Sequence, residues 1–76
     1  MPRITPLHWK TLECIFLKDG FVYERTRGDH NCYSKSGCSR PVVIPKYSEV
    51  GVFIIQNNIK SANMSRERFF ELLNKC

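Results

Sequence analysis

The stretch FVYERTRGDHNCYSK, residues 21–35, decides the fold because two strand-like segments flank a turn within it. Residues 21–26 are rich in aromatic and β-branched side chains, which is typical of a strand. Gly28 and Asp29 tolerate the backbone dihedrals of a tight turn, and residues 31–35 then predict the returning strand. The stretch is therefore predicted to form an antiparallel hairpin.

The returning strand is predicted to present two chemically different faces. Successive side chains of a strand point to opposite faces, so His30, Cys32 and Ser34 share one face. Tyr33 and Lys35 lie on the other face. The histidine is thus predicted at the turn, on the face opposite the tyrosine.

An apolar helical stripe precedes the hairpin. The residues that recur at helical spacing are Trp9, Leu12, Ile15 and Phe16. Thr5-Pro6 predicts the start of this helix, because an N-cap hydroxyl and a proline at the first helical position both favour one. Gly20 predicts its end. We expect a core helix with a solvated back.

The residues after the hairpin predict a third strand and further helix. Residues 41–45 form a short apolar strand with a proline at each end, where no central ladder hydrogen bond is lost. Apolar residues then recur at helical spacing over about residues 51–62, and Ser65 is a favourable N-cap for a final helix. The predicted order is α-β-β-β-α, with the last helix in one piece or two.

The predicted architecture is a single α+β domain, residues 1–76, with a three-stranded antiparallel sheet. Each helix must bury its apolar stripe, so the helices are expected to cover one sheet face and leave the other open to a partner. A chain of 76 residues buries roughly 60% of its unfolded surface, which leaves no room for a deep pocket. Chemistry is therefore expected on an open face or in a shallow groove.

The charge balance favours a polyanionic partner. Twelve Lys and Arg residues outnumber seven Asp and Glu residues, which gives a formal net charge of +5. Nucleic acid is the first candidate partner and an acidic protein is the second. No apolar run approaches the ~20 residues that a membrane span needs, so no membrane partner is expected.

The four cysteines, at positions 14, 32, 38 and 76, form no C-x-x-C pair. The sequence from Met1 shows no secretory leader pattern, and a disulfide scaffold needs a secretory context. We therefore expect four reduced thiols in a cytoplasmic protein, with no metal and no cofactor. An alternative is that His30, Cys32 and Cys38 supply zinc ligands, although their spacing fits no common zinc pattern.

The hairpin turn combines an imidazole with cations. RNA cleavage needs no metal if the 2′-hydroxyl attacks the adjacent phosphate, but it needs a base, an acid and positive charge. His30 is the candidate base or acid, because histidine ionises nearest to neutral pH. Tyr33 and Tyr47 are candidates to stack on bases or to donate a hydroxyl. The candidate phosphate-binding cations are Arg25, Arg27, Lys35, Arg40 and Lys46.

These residues alone leave other functions open. A hairpin histidine with basic neighbours is often only a surface histidine. The same basic face also suits a non-catalytic RNA-binding module, and a protein-interaction domain needs no nucleic acid. An RNA-binding assay distinguishes the three functions. A nuclease cleaves the RNA, a binding module binds it without cleavage, and a protein-interaction domain does not bind it.

The order of several short motifs resembles the HicA (YcfA-like) family of small toxins. The motifs are Gly20-Phe21, then Arg25-x-x-Gly28-x-His30, then Pro41-Val42-x-x-Pro45. The first-helix residues Ile15-Phe16 and the segment from Met64-Ser65 to Phe69 also fall where that family carries apolar and capping positions. The resemblance covers nearly the whole chain, and its specificity comes from the order and spacing of the motifs.

The resemblance implies a fold similar to the double-stranded-RNA-binding domain. It also implies a metal-independent mRNA endoribonuclease that is the toxin of a type II toxin–antitoxin system. His30 would be its single catalytic histidine, and a HicB-like antitoxin would cover the active face. The chain alone would bind mRNA and no DNA.

The sequence departs from the HicA pattern at three places. Asp29 replaces the serine that usually precedes the histidine, and Tyr47 stands where histidine is frequent. Phe53-Ile54-Ile55 is the best match to the Gly-Thr-Leu that usually opens the second helix. A carboxylate at position 29 is expected to repel a phosphate.

Overall fold

The computed structural model describes residues 3–76, so the first two residues of the predicted domain lie outside the described residues. The order of elements confirms the predicted α+β, double-stranded-RNA-binding-domain-like arrangement, with the last helix in two pieces. None of the helices in residues 3–76 is long and apolar enough to cross a membrane. The elements are α1 (Trp9–Lys18), β1 (Val22–Arg27), β2 (His30–Ser34), β3 (Val42–Pro45), α2 (Val52–Ser61) and α3 (Arg66–Leu73).

The sheet is built on the predicted hairpin. Its strands run antiparallel in the order β1-β2-β3. Gly28 and Asp29 connect the first two strands, and Arg27 pairs with His30 beside them. Gly28 has a φ of 60°, a left-handed value that glycine adopts at no steric cost. Glycine at this position is what a two-residue hairpin turn of type II′ requires.

A bulge in β1 decides which side chains share the open sheet face. The register shifts between Tyr23, which pairs with Tyr33, and Arg25, which pairs with Cys32. An extra residue on one strand changes the phase of its alternation. Arg25 therefore lies on the face opposite to Tyr23.

The third strand, β3, lies at one edge of the sheet. Pro41 precedes it and Pro45 is its last residue. Val42 and Ile44 are fully buried on the inner face, whereas Val43 is 37% exposed on the open face. The strand thus alternates between core and surface as a half-covered strand should.

The helices cover the inner face of the sheet, as predicted. Their apolar stripes and the inner side chains of β2 and β3 form one core. β1 is exposed along its whole length, so the outer strand of the hairpin projects beyond the helices. The largest fully buried side chains are Tyr33, Phe16, Phe21, Phe69, Leu12, Ile15, Ile44, Ile55, Val42 and Val50.

Helix α1 begins later than Thr5-Pro6 predicts. Its N-cap is His8, whose Nδ1 accepts a hydrogen bond from the backbone N–H of Lys10 at 3.1 Å. The residues before it are extended, because Leu7 pairs with Val50 in an antiparallel bridge. This long-range pairing outweighs the local start signal.

The other local signals for helix ends are confirmed. Gly20 follows α1 with a φ of 103°. The Ser65 hydroxyl accepts a hydrogen bond from the backbone N–H of Arg68 at 3.1 Å, as an N-cap should. Asn63, with a φ of 53°, makes the turn that separates α2 from α3.

The structure contradicts the expectation that all four cysteines are reduced. Cys14 in α1 and Cys76 form a disulfide with Cα atoms 6.1 Å apart, and Cys32 and Cys38 are free. The bonded pair is separated by 62 residues in sequence. The two cysteines meet because α3 packs against α1, and spacing along the chain cannot show a pairing that tertiary contact creates.

Candidate active site on the open sheet face

His30 lies at the start of β2 on the open sheet face, where the alternation predicts it. It pairs with Arg27 across the hairpin and with Pro45 on the other side. Arg25 pairs with Cys32, the next residue of β2 on the same face. Directly opposed residues on one face of an antiparallel pair have Cβ atoms about 5 Å apart. The structure therefore places Arg27 directly opposite His30 and Arg25 one step farther along the same face.

The carboxylate of Asp29 contacts the imidazole directly. Asp29 Oδ1 lies 2.7 Å from His30 Nδ1, and the side chains of Asp29 and His30 are 62% and 43% exposed. A carboxylate at one ring nitrogen fixes the tautomer and the orientation of the ring, and it leaves Nε2 for the substrate. The residue that departs from the HicA pattern is thus placed to orient the histidine.

The segment after β3 brings a tyrosine beside His30 and is held against the hairpin turn. Lys46 donates its backbone N–H to the carbonyl oxygen of Asp29 at 2.7 Å, which fastens this segment to the hairpin turn. The ring of Tyr47 meets the imidazole edge-to-face with centroids 6.3 Å apart, and Tyr47 remains 42% exposed. The segment therefore places a phenol next to the imidazole and holds the backbone of Lys46 at the hairpin turn.

Lys35 does not belong to this site. It follows the opposite end of β2, about 17 Å along the strand from His30. Its Nζ lies 3.2 Å from Asp19 Oδ2, and Arg68 Nε lies 3.1 Å from the other oxygen of the same carboxylate. Lys35 thus links β2 to the end of α1 and is not brought together with His30, and RNA binding by Lys35 stays a prediction.

Arg40 also lies away from His30. It precedes β3 at the end where Val42 pairs with Tyr33, whereas His30 pairs with Pro45 at the other end. Its side chain is exposed. RNA binding by Arg40 stays a prediction, and its position fits a contact outside the immediate surroundings of the imidazole.

Tyr33 is a core residue and cannot stack on a base. It is fully buried beneath the helices. Its hydroxyl donates to Glu13 Oε2 at 2.5 Å and accepts a hydrogen bond from Asn31 Nδ2 at 3.2 Å. Burial, followed by the hydrogen bond to Glu13, raises the pKa of Tyr33 well above its ordinary value. The prediction that Tyr33 contacts RNA is wrong because the helices cover this face of β2.

We expect Tyr33→Phe to lower the free energy of unfolding by about 1–3 kcal/mol at neutral pH, because Glu13 and Asn31 lose their shared partner. The raised pKa of Tyr33 gives the pH dependence. The stabilisation is fully present below the ordinary tyrosine pKa of 10.0 and declines as the pH rises above it, because the unfolded state ionises first. Urea unfolding of the wild type and of Tyr33→Phe, at neutral and at strongly alkaline pH, measures the difference in their free energies of unfolding. That difference should be smaller at alkaline pH. Equal stability at neutral pH would contradict the prediction.

A groove of about 580 Å³ opens next to His30, between β3 and α2. Val43 and Pro45 line it from the sheet, and Phe53 and Ile54 line it from the helix. The groove is open to solvent, which agrees with the expectation of a shallow groove. His30 lies at one end of it because it pairs with the last residue of β3.

Sequence reasoning missed the groove residues of α2. Phe53 is 86% exposed, and Asn58 is only 4% exposed although it is polar. A signal existed for Asn58, which follows Ile55 by three residues and so falls on the apolar stripe of the helix. No such signal existed for Phe53, because its surroundings depend on how α2 lies against β3.

The alternative of a zinc site at His30, Cys32 and Cys38 is not supported within residues 3–76. No three His, Cys, Asp or Glu side chains of this part of the chain come together as a metal site. Cys32 is buried in the sheet, and the thiol of Cys38 donates to the backbone oxygen of Ser61 at 3.5 Å. His30, Cys32 and Cys38 therefore do not converge.

Comparison of the chain with models of known protein families finds no match, and a search among curated proteins finds none either. The HicA resemblance therefore remains a prediction that depends on the motifs alone.

Proposed function

We propose that the protein is a metal-independent endoribonuclease that cleaves mRNA in the cytoplasm, as the toxin of a type II toxin–antitoxin system. One observation carries the proposal: a half-exposed imidazole, oriented by Asp29, lies beside Arg27 on the sheet face that the helices leave open. The resemblance of the motifs to HicA points to the same activity.

The proposed reaction uses the substrate's own 2′-hydroxyl as the nucleophile. His30 Nε2 accepts the proton of that hydroxyl while a bond forms between the 2′-oxygen and the adjacent phosphorus. The bond from phosphorus to the 5′-oxygen of the next nucleotide breaks, and the leaving oxygen takes a proton. The products are a 2′,3′-cyclic phosphate and a 5′-hydroxyl.

Tyr47 is the group that we propose as the second proton donor. Its ring contacts the imidazole, and its side chain is exposed enough to meet the leaving oxygen. Protonated His30 would then return a proton to the tyrosine through solvent and complete the cycle. This assignment gives a role to the residue that replaces the histidine frequent in the HicA pattern.

Positive charge on the open face supports a phosphate-binding role. Arg25 and Arg27 lie on the same face as His30, and Lys46 follows the strand residue that pairs with it. Guanidinium groups suit phosphate oxygens because they donate two parallel hydrogen bonds. These cations would hold the phosphate and stabilise the charge that builds up in the transition state.

A HicB-like antitoxin is the protein partner that we propose. The open sheet face carries the exposed Val43, and the groove beside it carries the exposed Phe53. An antitoxin that covers this face would bury both apolar side chains and block the imidazole. Its acidic groups would complement the net charge of +5.

Incubation with a long mRNA in EDTA tests the proposal. We expect fragments with 2′,3′-cyclic phosphate and 5′-hydroxyl ends, because no step of the proposed reaction needs a metal ion. Electrophoresis and end-group labelling measure the outcome. Salt-dependent retardation of intact RNA would instead indicate a binding module, and no retardation at low salt would indicate a protein-interaction domain.

A further inference from the structure

The groove between β3 and α2 has the size and position of a substrate subsite. Its volume of about 580 Å³ lies within the range of small-molecule sites. His30 lines one end of it, so a nucleotide whose phosphate reaches the imidazole can place its base in the groove. Lys60 also lines the groove, which adds a cation along its α2 wall.

One side of the groove offers an aromatic surface to solvent. Phe53 is 86% exposed although it is one of the larger apolar residues. Val43 and Pro45 line the opposite wall. Exposed aromatic rings beside basic residues stack on unpaired bases, because every base has a π face.

The groove also holds a polar side chain whose bonding is incomplete. Asn58 lines the groove and is 4% exposed, and within the described residues its Nδ2 has no hydrogen-bond partner. A buried donor without a partner is unfavourable for the folded state. A ligand oxygen or ring nitrogen at the groove wall would supply the missing acceptor after a small rotation of the amide.

We propose that this groove binds one nucleobase of single-stranded RNA, next to the phosphate that the 2′-hydroxyl attacks while His30 takes its proton. Phe53 stacks on the base, and Asn58 hydrogen-bonds its edge. The inference rests on the proposed function, since it names the part of the substrate that the same site recognises. It implies a preference for unpaired RNA, because a base within a duplex cannot enter the groove.

Binding of a fluorescein-labelled oligouridylate with 2′-O-methyl riboses tests the subsite without cleavage, because this probe lacks the attacking hydroxyl. We expect Phe53→Ala to weaken binding by about 5- to 100-fold, as removal of a stacking aromatic does. Leu17→Ala is the matched control. Leu17 is a 44% exposed apolar residue of α1 outside the groove lining, and its removal should leave binding unchanged.

Asn58→Leu separates base recognition from a structural role of the amide. We expect this variant to bind the probe several-fold more weakly while its melting temperature stays the same or rises, because leucine removes the unpartnered donor. Equal probe binding by wild type, Phe53→Ala and Asn58→Leu would overturn the subsite. Phe53→Ala alone decides if the second variant does not fold.

The outcomes also separate this inference from the proposed function. Cleavage that requires His30 but is unaffected by Phe53→Ala would leave the nuclease standing and overturn the subsite. Weaker probe binding by Phe53→Ala in a protein that cleaves nothing would support the subsite and reject the nuclease. Loss of a protein partner on Phe53→Ala, with RNA binding unchanged, would assign the groove to that partner and overturn the subsite.

Discussion

His30→Ala is expected to lower mRNA cleavage by about 10²- to 10⁴-fold, the usual contribution of a general acid–base group. The free energy of unfolding should change by less than about 0.5 kcal/mol, because the imidazole lies on the surface near a turn. Gel analysis of RNA fragments over time gives the rate, and urea unfolding gives the stability. A folded His30→Ala protein with the wild-type cleavage rate would reject the mechanism.

The chain offers a matched control in its other histidine. His8 caps α1 through its Nδ1 and contacts Trp9 rather than the groove. His8→Asn removes an imidazole but keeps an acceptor that caps a helix equally well. We expect this variant to cleave RNA as the wild type does, so that loss of activity in His30→Ala is specific to position 30.

Loss of the Cys14–Cys76 bond is expected to have the largest effect on stability. The bond closes a loop across 62 residues of sequence, and loop-closure entropy for a loop of that length corresponds to about 4 kcal/mol. We expect Cys76→Ser to lower the free energy of unfolding by about that amount under oxidising conditions. Urea unfolding with and without a reducing agent measures it, since the reduced wild type should match the variant.

Cys38→Ser is the control for the disulfide prediction. Cys38 is free and half-buried, and a serine hydroxyl can keep its hydrogen bond to the backbone of Ser61. In oxidising buffer this variant should keep most of the free energy of unfolding of the wild type. On reduction it should lose the contribution of the disulfide, as the wild type does. A Cys76→Ser protein as stable as the oxidised wild type would show that the bond does not stabilise the fold.

The disulfide also bears on the proposed compartment. Reducing conditions in the cytoplasm keep most protein cysteines in the thiol form. In that compartment Cys14 and Cys76 would be neighbouring thiols, and the stability of the fold would lack the contribution of the disulfide. Thiol labelling of protein taken directly from cells would tell which form is present.

The parts of the fold that could be predicted are those with local signals. The turn at Gly28, the glycine that follows α1 and the N-cap at Ser65 each depend on a few neighbouring residues. The alternation of β2 placed His30 and Tyr33 on opposite faces for the same reason. These features follow from backbone preferences that tertiary contacts did not oppose.

The parts that could not be predicted depend on contacts between distant residues. Lys35 is drawn to Asp19 by an ion pair across the first helix–strand junction, so its charge is not available at His30. Tyr33 is buried because the helices lie on its side of the sheet, which alternation alone does not decide. The groove exists only because α2 lies along β3, and no pattern within either element shows that placement.

The two prolines that flank Val43 have a consequence for strand addition at the edge of the sheet. In a two-residue hairpin the residues beside the turn exchange backbone hydrogen bonds, so the backbone N–H and C=O of His30 point toward β1. The pair of His30 with Pro45 is therefore not hydrogen-bonded, and the backbone groups of Pro45 point away from the sheet. Along β3, the outward positions are therefore Pro41, Val43 and Pro45, and only Val43 has an N–H to offer. An incoming strand would find one donor where it needs several. Fibril growth along this edge is disfavoured, and a protein that binds here must use side chains rather than extend the sheet.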